Sequence, residues 1–377
     1  MGLGWIASIL SLRLQPGAWR RCSWALGLLL LGGCQKGGDE PVAPPQDPRA
    51  AYLVNWAAYR RPGDGGLYFL SRFELRGEDL EVFRSRPLAF PHLAREAKAR
   101  GLPRQADLPL TAVNLGMAER LAKAYLGRLP SVTEWRHAVT GHGGYRFPWG
   151  DRFGLLRTNT LELGLGRTTP VGTFESGRDP GREDSCYDLF GNVAEWTQDP
   201  LFEGPDLLLL GIPPKSPLEF YRATPLGEQY LRLRALGLLG PVPLTLPSFF
   251  GDFGALPENE SFGFATLGFS YLQDLSLPWM GGKSPLPLER LGLRLFDPRE
   301  ESSDLGLRLA TDPWTFVARL ESAPGKPRES DLRALRWFLL RHGREFRAAY
   351  QGRMRLRAAL GMGVPGPWAR EAGSILR

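Results

Sequence analysis

Apolar and polar positions alternate most clearly from Tyr68 onward, where Tyr-Phe-Leu-Ser-Arg-Phe-Glu-Leu-Arg keeps a strand-like period as far as Gly77. Beyond that glycine the spacing turns helical, with Leu80 and Phe83 three apart. A strand feeding a short helix is the prediction. Further on, Asn114 stands where a helix cap belongs, and Ala118, Leu121, Ala122 and Tyr125 recur at three and four before Gly127 closes the helix. A second helix is predicted just after it, capped by Ser131 or Thr133 and carrying Glu134, Trp135 and Ala138. The run Tyr145-Arg-Phe-Pro-Trp-Gly-Asp151 has no period and too many aromatic, proline and glycine residues for a regular element, so it reads as a packed loop. Near the end, Ser330 is positioned to cap a helix in which Leu332, Leu335, Leu339, Phe346 and Tyr350 recur near helical spacing, with arginines on the other faces and Gly343 and Gly352 weakening it. That helix either docks on the domain or lies as a basic amphipathic surface on lipid or on a protein partner.

The apolar pattern at the start is of another kind. Arg20-Arg21 precede an apolar run from Trp24 to Leu31, which is too short to span a bilayer. Leu31-Gly-Gly-Cys34 resembles the bacterial lipobox, which implies cleavage before Cys34 and lipid on its thiol. Residues 1–33 are therefore expected to be a lipoprotein signal peptide, and residues 34–49, rich in glycine and proline, a flexible tether. Gln35 after the cysteine favours the outer membrane, with the domain facing the periplasm or the cell surface. A plain signal peptide or a cytosolic apolar N-terminus is the alternative.

The whole chain of 377 residues carries a formal charge of +7. The excess is local: residues 311–377 hold 13 Lys or Arg against 6 Asp or Glu, whereas residues 34–310 hold 31 against 34. This argues against a nucleic-acid-binding body and for a basic helical tail over residues 313–377. Of three cysteines, only Cys186 follows Cys34, so the body has no intramolecular disulfide and no thiol pair for metal or redox chemistry.

Chemistry-bearing residues are densest in Tyr187-Asp-Leu-Phe-Gly-Asn-Val-Ala-Glu-Trp196. Gly191-Asn192 is a turn signal flanked by aromatic anchors, with Asp188 and Glu195 on either side. Two carboxylates and the loop's own carbonyls suit a hard cation such as calcium. A tight turn with solvated acids is the equal alternative, since the EF-hand pattern is absent.

The order of segments resembles the formylglycine-generating enzyme, or sulfatase-modifying factor, family. The matches run Phe73-Glu-Leu-Arg-Gly77, Arg128-Leu-Pro-Ser-Val-Thr-Glu-Trp135, Phe147-Pro-Trp-Gly150, Thr168-Thr-Pro-Val-Gly172, Gly191-Asn-Val-Ala-Glu-Trp196, Gly281-Gly-Lys283 and Leu305-Gly-Leu-Arg308. The resemblance implies an α+β domain over residues 50–312, the family's loop-rich variant of the C-type lectin-like fold. It also implies a structural calcium held by the side chains of Asp188 and Glu195 and the carbonyls of Gly191 and Val193. Another calcium site of that family would begin at Asn159 and Thr160, but its downstream Asp-Xaa-aromatic ligands are missing and none is expected.

The same resemblance sets limits on catalysis. The family's copper oxidases hold Cu(I) with two thiolates after the Gly-Gly-Ser turn, and here Leu286 and Leu291 occupy those positions. Its iron-dependent sulfoxide synthases use three histidines, whereas His92, His137, His142 and His342 lack the paired spacing. No copper or iron is expected. Between Pro200 and Trp279 the chain inserts a long Leu/Pro-rich segment, residues 201–279, that either packs on the domain or meets a partner. The sequence thus points to a lipoprotein pseudoenzyme whose domain binds or scaffolds, with an envelope protein or polysaccharide as partner. A family oxidase or oxygenase with an atypical site from His137, His142 and carboxylates is the alternative, and a carbohydrate-binding module a second.

Overall fold

A computed structural model describes residues 44–377 apart from residues 102–104, 142, 204–260 and 274–291. The signal segment, Cys34, most of the tether, His142, most of the insertion 201–279 and the positions Leu286 and Leu291 lie outside the described residues.

In chain order the elements are α1 (Pro48–Tyr52), β1 (Trp56–Arg60), β2 (Leu67–Ser71), α2 (Gly77–Glu81), α3 (Pro91–Arg100), α4 (Leu115–Ala124) and α5 (Val132–Thr140). They continue with β3 (Ala194–Glu203), β4 (Ser261–Leu267), β5 (Arg294–Phe296), β6 (Leu305–Leu307), β7 (Ala310–Thr311), α6 (Pro313–Glu321), α7 (Glu329–Arg341), α8 (Gly343–Ala359) and α9 (Pro367–Leu376). The class is α+β. Between Thr140 and Ala194 the regular structure is confined to three short 3-10 turns, so the aromatic run around Trp149 is the packed loop its composition indicates.

Two small sheets organise the core. One is antiparallel, β1-β2-β7, with Trp56 opposite Ser71 and Phe69 opposite Thr311. The other runs β5-β4-β3-β6, in which β6 lies parallel to β3 and pairs Glu195 with Gly306. Every residue of β2 is buried, because its alternate side chains enter two apolar clusters. Leu67 and Phe69 meet the cluster that holds Trp196, Phe316, Phe338 and Trp368, while Tyr68 and Leu70 meet the one that holds Trp135, Phe147, Phe190 and Phe269. A strand covered on both faces is a continuous apolar run.

Local signals place the mid-chain helices. Asn114 caps α4 by accepting from the Met117 N–H, and Ser131 rather than Thr133 caps α5, in a capping box closed by Glu134. Two expectations are corrected. The strand stops at Ser71, because Arg72–Arg76 bend to pair with chain-distant residues: the Leu75 N–H donates to Leu307 O and the Leu110 N–H to Leu75 O. The single helix expected from Ser330 through Tyr350 is two, α7 and α8, with α6 before them and α9 after. Ser330 lies inside α7, whose first turn is instead closed by Asp331 accepting from the Arg328 N–H, and the helix breaks at His342-Gly343. α8 restarts at once at Gly343, placing Phe346 within 6 Å of the rings of Phe69, Phe316 and Phe338. The arginines of α8 tie helices together, Arg353 and Arg357 both bonding Glu321 and Arg347 bonding Leu376 O.

Candidate functional site

The turn at Gly191-Asn192 is fixed by backbone geometry. Asp188, Gly191 and Asn192 all adopt positive φ, at 51°, 93° and 65°. A side chain at Gly191 would run into Thr158 Oγ1 and Asn159 O, so glycine is required there by contact as well as by conformation. The Gly191 N–H donates to Gly268 O, the Asn192 N–H to Asn159 O, and the Tyr271 N–H to Asn192 O. Asn192 Oδ1 takes the Thr169 N–H, and Asn192 Nδ2 donates to Glu74 Oε2 at 2.7 Å. The turn therefore sews together the Thr158–Asn159 and Thr168–Gly172 loops and the residue that follows Phe73.

Asp188 and Glu195 have separate partners. Asp188 Oδ2 accepts from the Gly172 N–H at 2.6 Å. Glu195 is fully buried, with Arg308 Nε and Nη2 and Trp135 Nε1 between them engaging both carboxylate oxygens at 2.7–3.0 Å. Arg308 also donates to the carbonyls of Ser71 and Tyr187, so one guanidinium joins both sheets to the turn. Glu74 completes the cluster by accepting from the Val193 N–H as well as from Asn192.

Three buried carboxylates thus lie near one buried guanidinium, which pairs directly with Glu195. Burial works against the Arg308 charge, but Glu195 outweighs it and holds Arg308 well above its ordinary value. Burial, then the charges of Asp188 and Glu195, push Glu74 well up, and burial lifts Asp188 to about 6 despite its bond from Gly172. Glu74 is favoured as the neutral acid, which offsets the charge that three carboxylates would otherwise concentrate.

This arrangement does not fit the calcium set of Asp188, Gly191, Val193 and Glu195. A cation at Glu195 would stand against the Arg308 guanidinium, and the carboxylate that the resemblance makes a ligand is an ion-pair partner instead. Orphaned buried oxygens do occur nearby: Asn159 Oδ1 and Thr160 Oγ1 have no hydrogen-bond partner among the described residues. These two oxygens are unengaged, whereas both oxygens of Glu195 are held by Arg308 and Trp135. Glu74 and Arg308 were both visible in the matched motifs, but nothing in their local spacing shows that Glu74 meets Asn192 across 118 residues of chain and Arg308 meets Glu195 across 113.

The groups named for redox chemistry are dispersed, and of those among the described residues only Cys186 lies in the core. Cys186 is buried, in contact with Tyr59 Oη at 3.4 Å and Ser71 O at 3.5 Å, and burial pushes its thiol up. His137 Nδ1 lies 2.8 Å from Tyr68 Oη. His342 packs edge-on against Phe69, and His92 is exposed. Among the described residues no group of three or more His, Cys, Asp or Glu side chains is arranged to hold a metal ion.

Comparison with known proteins finds similarity over part of the chain. Residues 86–230 match the sulfatase-modifying factor enzyme 1-like domain. Inactive C-alpha-formylglycine-generating enzyme 2 of Mus musculus is 33% identical over 108 residues, and that of Bos taurus 32%. The match takes in 26% of this chain and 34% and 35% of theirs, so the chain spans about a third of the length of these curated relatives. Among solved structures, PvdO from Pseudomonas aeruginosa has a TM-score of 0.39 at 16% identity, covering 68% of this chain and 91% of its own. Treponema denticola variable protein 1 has a TM-score of 0.36 at 15% identity, covering 66% and 85%. Over residues 86–230 the chain is thus similar to the sulfatase-modifying factor family.

Proposed function

We propose that this chain is an envelope lipoprotein whose sulfatase-modifying-factor domain binds or scaffolds rather than oxidises. The observation that carries the reading is the state of Cys186. It is the single cysteine after Cys34, it lies in the core, and burial keeps its thiol protonated. A copper oxidase of this family needs two accessible thiolates, because soft Cu(I) is held by thiolate. The sequence supports the same reading with leucines at 286 and 291, as does the word "inactive" in the names of the two mammalian relatives. The lipobox-like Leu31-Gly-Gly-Cys34 supports anchoring at the outer membrane, and an envelope protein or polysaccharide is the partner class in keeping with that place.

Anaerobic titration with Cu(I) followed by oxygen and a cysteine-containing peptide tests the first half. The expected result is no tight stoichiometric copper binding and no loss of peptide thiol. Stoichiometric binding accompanied by thiol oxidation would overturn it. Palmitate labelling, lost in Cys34→Ala, is the expected result for the anchor, and labelling that survives the substitution removes it.

A further inference from the structure

Away from the Gly191 turn, the first described residues meet the start of α7 at a cleft of about 220 Å3, against roughly 30 Å3 for one water in the liquid. Its walls carry four cations, Arg49, Arg86, Lys326 and Arg328, and two carboxylates, Asp47 and Asp331. Both carboxylates are committed. Asp331 accepts the N–H groups of Gln46, Asp47 and Arg328 at 2.8–2.9 Å. Asp47 is bound by Arg49 Nε and Nη2 at 2.8 Å each.

Arg49 is the built part of the site. It is 3% exposed, stacked 4.6 Å from the Trp368 ring, and its Nη1 has no hydrogen-bond partner among the described residues. A buried guanidinium nitrogen without an acceptor is costly unless something accepts from it. The N-termini of α3 and α7 also face this region, since their caps Phe90 and Arg328 are both part of the wall. Their partial positive ends add to a field that already has two cations in excess of the acids.

We infer that this cleft is a binding site for a phosphate-type oxyanion, either free or as the headgroup of an anionic phospholipid. Two uncompensated positive charges match a phosphate dianion, and Arg49 Nη1, the guanidinium nitrogen not given to Asp47 or Pro324 O, is left to donate to one of its oxygens. Lys326 and Arg328 are exposed at the rim and close over the bound anion from the α7 side. The inference is independent of the function proposed above, because none of these residues touches the Gly191 turn or Cys186.

Calorimetric titration of inorganic phosphate into the full chain at low ionic strength tests it. Saturable binding to one site is expected, weakened at least tenfold in the double variant Lys326→Gln, Arg328→Gln. Both side chains are exposed and Arg328 caps α7 through its backbone, so the variant's melting curve should match the parent. Absence of saturable phosphate binding, or equal affinity in the double variant, would overturn the inference. Vesicles containing phosphatidylglycerol, with phosphatidylcholine alone as the control and Cys34→Ser in the chain, separate the two sources. Competition between those vesicles and phosphate assigns the site to a headgroup, and phosphate binding without competition assigns it to the free anion.

Discussion

Asp199 shows how a single carboxylate in this domain is held for structure. It sits on β3 and accepts the Val132 N–H at the start of α5 at 2.6 Å, where the positive end of the helix meets it. Burial, set against that hydrogen bond and reinforced by the charge of Glu134, still lifts it to about 7 from 3.8. A carboxylate raised on folding stabilises the native state below its unfolded value, and the contribution is lost as pH rises through the folded value. The difference in stability between the parent and Asp199→Asn should therefore change between about pH 4 and pH 7, at about 1.4 kcal/mol per pKa unit. Asparagine keeps an oxygen for Val132 and sheds the charge, so the variant should be the more stable of the two at pH 8. Urea unfolding across that range checks it, and parallel pH profiles would remove the argument.

Among the elements, the helices that follow β7 were the least legible from sequence. Asn114 and Ser131 announce α4 and α5 because a cap and its acceptor lie within three residues of each other. The end of β2 is set by pairing with Leu307 and Leu110, which no local pattern contains. In the C-terminal segment a serine with helical spacing behind it looks like a cap, but Arg328 and Asp331 form the first turn and Ser330 is buried within it. Periodicity also could not choose between a helix lying on lipid and one docked on protein, since both need one apolar face. The structure decides through Phe346, which is fully buried against Phe69 of β2 and two other phenylalanines. Phe346→Ala should destabilise the folded chain by about 3–5 kcal/mol, the usual range for truncating a buried phenylalanine. Chemical denaturation measures this, and a loss below about 1 kcal/mol would mean that the helix is not part of the core.

At the scale of the whole molecule, what holds the motifs together is charge pairing and hydrogen bonding between distant segments. Arg308 reaches Ser71, Tyr187 and Glu195; Arg128 reaches Glu134 and Asp312; Asp331 reaches Gln46 and Asp47. The resemblance made the residues around the turn readable as a set, including Glu74 and Arg308, yet it assigned Glu195 to an ion and left its pairing with Arg308 unstated. That assignment has a thermal test. Because Asp188 and Glu195 already have protein partners, the melting difference between the parent and Asp188→Asn should be the same in calcium as in EDTA. A gap that opens only in calcium would restore a cation at the turn.

The bond from Asp47 to Asp331 spans 284 residues, and Phe69 waits for Phe346 to cover it. Contacts so far apart in the chain close late, because the entropy of ordering the intervening loop must be met before the contact forms. The face of β2 that carries Leu67 and Phe69 is therefore complete only once Phe346 and Trp368 are in place, whereas the Tyr68 and Leu70 face needs nothing beyond Ala310.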